Sequence, residues 1–162
     1  RIAELLHTKD LHGRNADELN SLLMASYEHL RRFEEAATTA TGHGCHACFG
    51  VPIDTKALLA AWKDGGPQAY WLERLAAIDR AAPALLPMAH YNYAVVMSRL
   101  GRTDEAMAHL TALVDSQLGS VIFLAIEPAL EALRGRPDFD ALLTRIGAPH
   151  RPTASAPHTA SP

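Results

Sequence analysis

An all-α fold, a solenoid of antiparallel helix pairs, is predicted for this 162-residue chain by three observations. Apolar residues return every three or four positions in LNSLLMASYEHL, AYWLERLAAI, YNYAVVMSRL and EAMAHLTALV, the period of a helix with one buried stripe. Prolines and glycines fall between these blocks, at Gly65-Gly66-Pro67, Pro83, Pro87, Gly101, Gly119, Pro128, Gly135 and Pro137. Four turn segments also recur: RRFEEA from 31, GGPQAY from 65, GRTDEA from 101 and GRPDFD from 135, at offsets of 34, 36 and 34 residues. A unit of ~34 residues with two helices cannot bury its apolar face alone, so it stacks on its neighbours.

Taken in order, the opening residues Ile2 to Leu6 read as the second helix of a preceding unit. The chain begins at Arg1 rather than methionine, so it is expected to be a piece of a longer polypeptide. Helix starts are marked near 54, 67, 87, 103 and 137. Pro67 and Pro137 suit a first helical turn, where a missing N–H is harmless. Asp104 and Glu105 place carboxylates at the positive end of a helix dipole. The repeat domain is expected over 1–147. The remainder, 148–162, mixes proline, serine, threonine and alanine without an apolar period and reads as a disordered tail.

The segment HYNYAVVMSRLGRTDEAMAHL resembles one tetratricopeptide unit. Ala94 stands where that motif wants a small residue, Leu100-Gly101 ends the first helix, and Ala106 and Leu110 open the second; Leu113 replaces the usual alanine. SLLMASYEHLRRFEEA resembles a second, degenerate unit, with Tyr27, Phe33 and Ala36 in family positions but Met24 at the small site and Arg31 in place of glycine. The C-terminal half, from AAWKDGGPQAYWLERL to IEPALEALRGRPDFDALLTRIG, is similar to the last repeats of tetratricopeptide regions in bacterial multidomain signalling proteins. There such arrays follow a protein kinase, a nucleotide cyclase or a winged-helix DNA-binding domain. The tetratricopeptide resemblance implies that the solenoid is right-handed. The closing module, from Glu127-Pro128 to Leu142-Leu143, is expected to cap the solenoid.

Charge offers no reason to seek a polyanion: 15 basic against 18 acidic side chains leave a net −3, and nucleic acid is not expected as a partner. No apolar run approaches the ~20 residues that span a bilayer, and no signal-peptide pattern opens the chain, so a cytoplasmic setting without membrane contact is expected.

The densest chemistry lies in TGHGCHACFG, where His43, Cys45, His46 and Cys48 fall within six positions. Cys-x2-Cys can present two thiolates to zinc, but no second distant pair accompanies it. Phe49 after Cys48 removes c-type haem, and the βαβ context of a redox pair is missing. The favoured reading is an inter-repeat loop turned by Gly42, Gly44 and Gly50, with no metal and no cofactor; thiol-redox or zinc chemistry through Cys45 and Cys48 is the alternative. There is no phosphate-binding glycine loop, no His-Glu-x2-His and no nucleophile elbow, so no enzymatic activity is expected.

A groove is expected instead on the inner faces of the first helices. By the register of the tetratricopeptide turns it includes Glu28 and His29, Trp62 and Lys63, and Tyr91, Val95 and Arg99. The Lys and Asn positions with which related repeats hold acidic tails are here Ser21, Ala25, Thr55, Leu59, Tyr91 and Val95, so that clamp is absent. Tyr70, Trp71 and Tyr93 are expected in seams between helices, and Tyr91 and Trp62 toward a ligand. The function implied is a protein-interaction or ligand-sensing scaffold that binds a protein or peptide partner and serves a larger signalling or transcription-regulating protein. A homodimeric spacer is the remaining possibility.

Overall fold

The structure, a computed structural model, describes residues 14–39, 51–85, 88–116 and 121–148. Its elements are α1 (Arg14–His29), α2 (Phe33–Thr38), α3 (Thr55–Leu85), α4 (Met88–Arg99), α5 (Thr103–Asp115), two 3-10 segments (Ile122–Ala125 and Pro128–Leu133) and α6 (Pro137–Arg145). The all-helical class expected from the periodicity is present: among the described residues there is no β-strand element. None of their helices is long and apolar enough to cross a membrane. His43, Cys45, His46 and Cys48, the opening residues and the tail from 149 lie outside the described residues.

The turns repeat in detail. After α1 the chain enters the left-handed region at Arg31 (φ 59), and the Arg32 and Arg31 N–H groups donate to the Tyr27 and Glu28 carbonyls at 2.8 and 3.1 Å. After α4 Gly101 (φ 75) takes that role, with Arg102 and Gly101 donating to Met97 and Ser98 at 2.8 and 3.1 Å. This paired closure satisfies two carbonyls that a helix end would leave orphaned. The residue that follows is an arginine each time, and it bonds the glutamate three positions on: Arg32 Nε to Glu35 at 2.8 Å, Arg102 Nε to Glu105 at 2.6 Å. Positive φ also occurs at Gly66, Gly135 and Gly147; the first four of these five positions lie 35, 35 and 34 residues apart, although Gly66, with ψ −151, marks a kink rather than a helix end.

At Gly66 (φ 63, ψ −151) α3 is kinked into two limbs. In a straight helix Trp62 and Tyr70 would stand about 12 Å apart along the axis. Both rings instead reach Phe33, with centroids at 5.0 and 4.9 Å, because the chain bends between them. Gly65 must stay small there, since a Cβ on it would fall 2.6 Å from the Ala69 Cβ.

Two apolar clusters result. One holds Met24, Phe33, Leu58, Tyr70, Trp71 and Ile78; the other holds Leu110, Leu124, Leu130, Leu133, Phe139 and Leu143. α4 divides them, giving Val96 to the first and Tyr91, Ala94 and Met97 to the second. Helix α4 therefore has no exposed residue between Ala89 and Arg99. Arg136 at the start of α6 reaches Thr103 and Asp104 at the start of α5 (3.0 and 2.8 Å), while Arg145 at its end reaches Asp115 at the end of α5 (2.6 Å). These two helices thus run side by side in the same direction.

Candidate functional site

Between the clusters, α1, the second limb of α3, α4 and the second 3-10 segment leave a cleft of about 820 Å³. Each wall follows from helical spacing. On α1 the buried stripe is Ser21, Met24 and Glu28, and the residues beside it, Leu22, Ala25 and His29, turn to the cleft. On α4, Tyr91, Val95 and Arg99 stand four apart on one line. On α3, Trp71 and Arg74 are three apart and form the floor. Leu22 and Leu30 at the rim are 55% and 61% exposed, so the cleft opens through apolar side chains.

A buried polar group organises the floor. Glu28 is 5% and Arg74 4% exposed, yet both are ionisable side chains. The Tyr70 hydroxyl donates to Glu28 Oε1 at 2.7 Å, and Arg74 Nε lies 3.3 Å from the same oxygen, an ion pair that is not aligned as a hydrogen bond. Removing one member of such a pair costs about 3–5 kcal/mol, because the other charge stays buried. Burial, and then the Glu28 charge, push the Tyr70 phenol far above its usual range, so it remains a donor.

At the far end Tyr91 donates to Glu127 Oε2 at 2.7 Å, while Glu127 Oε1 accepts from the Ala129 N–H at 2.9 Å. One carboxylate thus caps the 3-10 segment and ties it to α4. Burial first, then Glu127, hold the Tyr91 hydroxyl protonated. Arg134 secures the same corner by donating to the carbonyls of Ala125 (2.8 Å) and Glu127 (3.3 Å).

Of the groove residues expected from the sequence, Glu28, His29, Tyr91, Val95 and Arg99 meet in this cleft. Trp62 and Lys63 do not line it: Trp62 packs on Phe33, and exposed Lys63 lies 3.9 Å from Glu34. The bend at Gly66 accounts for this, since it directs the first limb of α3 toward α2. Tyr70 is fully buried in the seam, as expected. Trp71 is in the seam as well, but it also shows a face to the cleft. The cleft also takes in Trp71, Arg74, Asn92 and Glu127, which helical spacing alone does not mark as site residues. The spacing of Trp71 and Arg74 on one face was visible; that the second limb of α3 forms the floor was not.

Among the described residues no group of three or more His, Cys, Asp or Glu side chains is placed to hold a metal ion. His90 and His109 bring their Nδ1 atoms to 3.0 Å where α4 meets α5, and His109 stacks on Tyr93 at 4.5 Å. Compared with known proteins, the chain matches no family model, no curated protein and no solved structure.

Proposed function

We propose that the chain is a binding module of tetratricopeptide-like helical repeats, a right-handed solenoid whose cleft receives a ligand or a segment of a partner protein. The repeat reading is supported by the recurring left-handed residue and by the arginine-glutamate turn chemistry at 31–35 and 101–105. The common direction of α5 and α6 supports it too, because second helices of stacked pairs align in that way. No catalytic role is proposed, and a cytoplasmic setting is the expected one. The likeness of the C-terminal half to the ends of signalling proteins supports a regulatory role beside a catalytic or DNA-binding domain.

The observation that carries the binding function is the cleft itself: about 820 Å³, walled mainly by apolar side chains, with a few convergent polar groups around a buried ionic pair. Amide chemical-shift mapping with a fragment library tests it. Shifts should concentrate at 22–30, 71–74, 91–99 and 127–129, and should vanish in Val95→Trp, which fills the cleft. Shifts scattered elsewhere, or unchanged in that variant, would count against the reading.

A further inference from the structure

Each of the two arginines of the cleft has one guanidinium nitrogen, Nε, buried without a hydrogen bond. Arg74 is 4% exposed, its ionic partner among the described residues is Glu28, and its Nε is buried without a hydrogen bond. Arg99 has no carboxylate within ion-pair distance among the described residues, and its Nε is also buried without an acceptor. Its guanidinium lies 5.9 Å from the centre of the Trp71 ring, a cation–π contact that holds it at the cleft wall. Both side chains line the cleft, and Arg99, only half-buried, can offer its outer guanidinium nitrogens to an acceptor there.

We propose that the cleft binds a small organic carboxylic acid as its anion, the apolar body against Trp71, Val95 and Leu30 and the carboxylate accepting hydrogen bonds from Arg99. This inference rests on the cleft being the binding site.

Charge complementarity selects the ligand. Glu28 pairs with Arg74, and Glu127 accepts from the neutral Tyr91 hydroxyl and Ala129 N–H, so among the described residues Arg99 is the guanidinium of the cleft with no carboxylate in ion-pair distance and the group a carboxylate would meet. The two glutamates are already engaged, Glu127 by Tyr91 and Ala129 and Glu28 by Tyr70 and Arg74, which leaves an ammonium ligand poorly served. A multiply charged anion such as a phosphate would bring excess negative charge beside both. Planar guanidinium groups match the two oxygens of a carboxylate. The volume of about 820 Å³ lies in the range of small-molecule sites, and the exposed apolar rim of Leu22 and Leu30 suits an alkyl or aryl body.

The test uses the full chain and four probes, octanoate, octanol, octylamine and a tripeptide with a free C-terminal phenylalanine, followed by amide chemical-shift titration. Octanoate should shift cleft amides and bind roughly ten- to a hundred-fold tighter than octanol, as charge-assisted hydrogen bonds imply. Arg99→Gln should bring the ratio of octanoate to octanol affinity close to one, and Arg99→Lys should restore part of it. The wild-type ratio needs no variant, so the proposal remains open to refutation even if a substitution unfolds the chain. Equal binding of octanoate and octanol in the cleft overturns the carboxylate while leaving the cleft as a binding site. Binding of the tripeptide alone overturns the free acid in favour of a chain terminus. If no probe shifts the cleft amides, the inference and the binding function of the cleft fall together.

Discussion

Arg31 stands at φ 59, in the conformation that Gly101 and Gly147 adopt at two other helix ends. A Cβ there crowds the following carbonyl, and the side chain of Arg31 is exposed, so nothing in its packing offsets the strain. Arg31→Gly should therefore raise stability by about 1 kcal/mol in urea unfolding, the strain relieved exceeding the entropy a glycine adds to the unfolded chain. A lower midpoint would mean that the Arg31 side chain holds the turn. At this scale the sequence was informative where helical spacing decides the outcome. Glu28, Tyr91, Val95 and Arg99 share a cleft because their faces were legible from the turns that end α1 and α4. Arg74 was not legible, since an arginine on a helix is most often solvated. Its burial against Glu28, 46 positions earlier in the chain, is a tertiary fact.

Between α4 and α5 the Nδ1 atoms of His90 and His109 are 3.0 Å apart, so one ring must donate and the other accept. The pair can hold one proton between these nitrogens but not two. Burial first, and then the charge of His90, lower the His109 pKa below its ordinary 6.5, and Glu105 opposes this in part. The folded state thus binds fewer protons than the unfolded chain just below pH 6.5. Stability is full above that value and falls as pH drops from it toward the lower folded pKa. Melting temperature should decline as pH falls from 6.5 in the wild type, with a shallower slope in His109→Gln. Equal slopes would show that the decline comes from other groups. For α3 the sequence predicted a turn at Gly65-Gly66-Pro67, and a sharp kink stands there. The two 3-10 segments had no periodic signal, because each is shorter than the two helical turns a periodicity needs to declare itself.

Across the molecule, α4 belongs to both apolar clusters, so neither can lose it and remain covered. Unfolding should be one cooperative step. Both tryptophans report on the first cluster, since Trp71 is in its core and Trp62 packs against it, whereas Leu130 is fully buried in the second. Leu130→Ala should cost about 2–5 kcal/mol and shift the tryptophan fluorescence and far-ultraviolet circular dichroism midpoints together. A fluorescence transition left in place would mean that the two clusters unfold independently, as weakly coupled repeats can.

By itself the sequence determined the helical class, the spacing of the turns and most of the places where helices stop or bend, although Pro83, expected between helices, lies inside α3 instead. Those are local matters, decided by apolar period, by proline's missing donor and by the ease with which glycine enters the left-handed region. Only the tertiary structure decided that Glu127 closes the far end of the cleft, that Trp71 and Arg74 make its floor, and that Trp62 lies elsewhere. These depend on the bend at Gly66 and on contacts between residues dozens of positions apart, and pairings at that range leave no period along the chain to read.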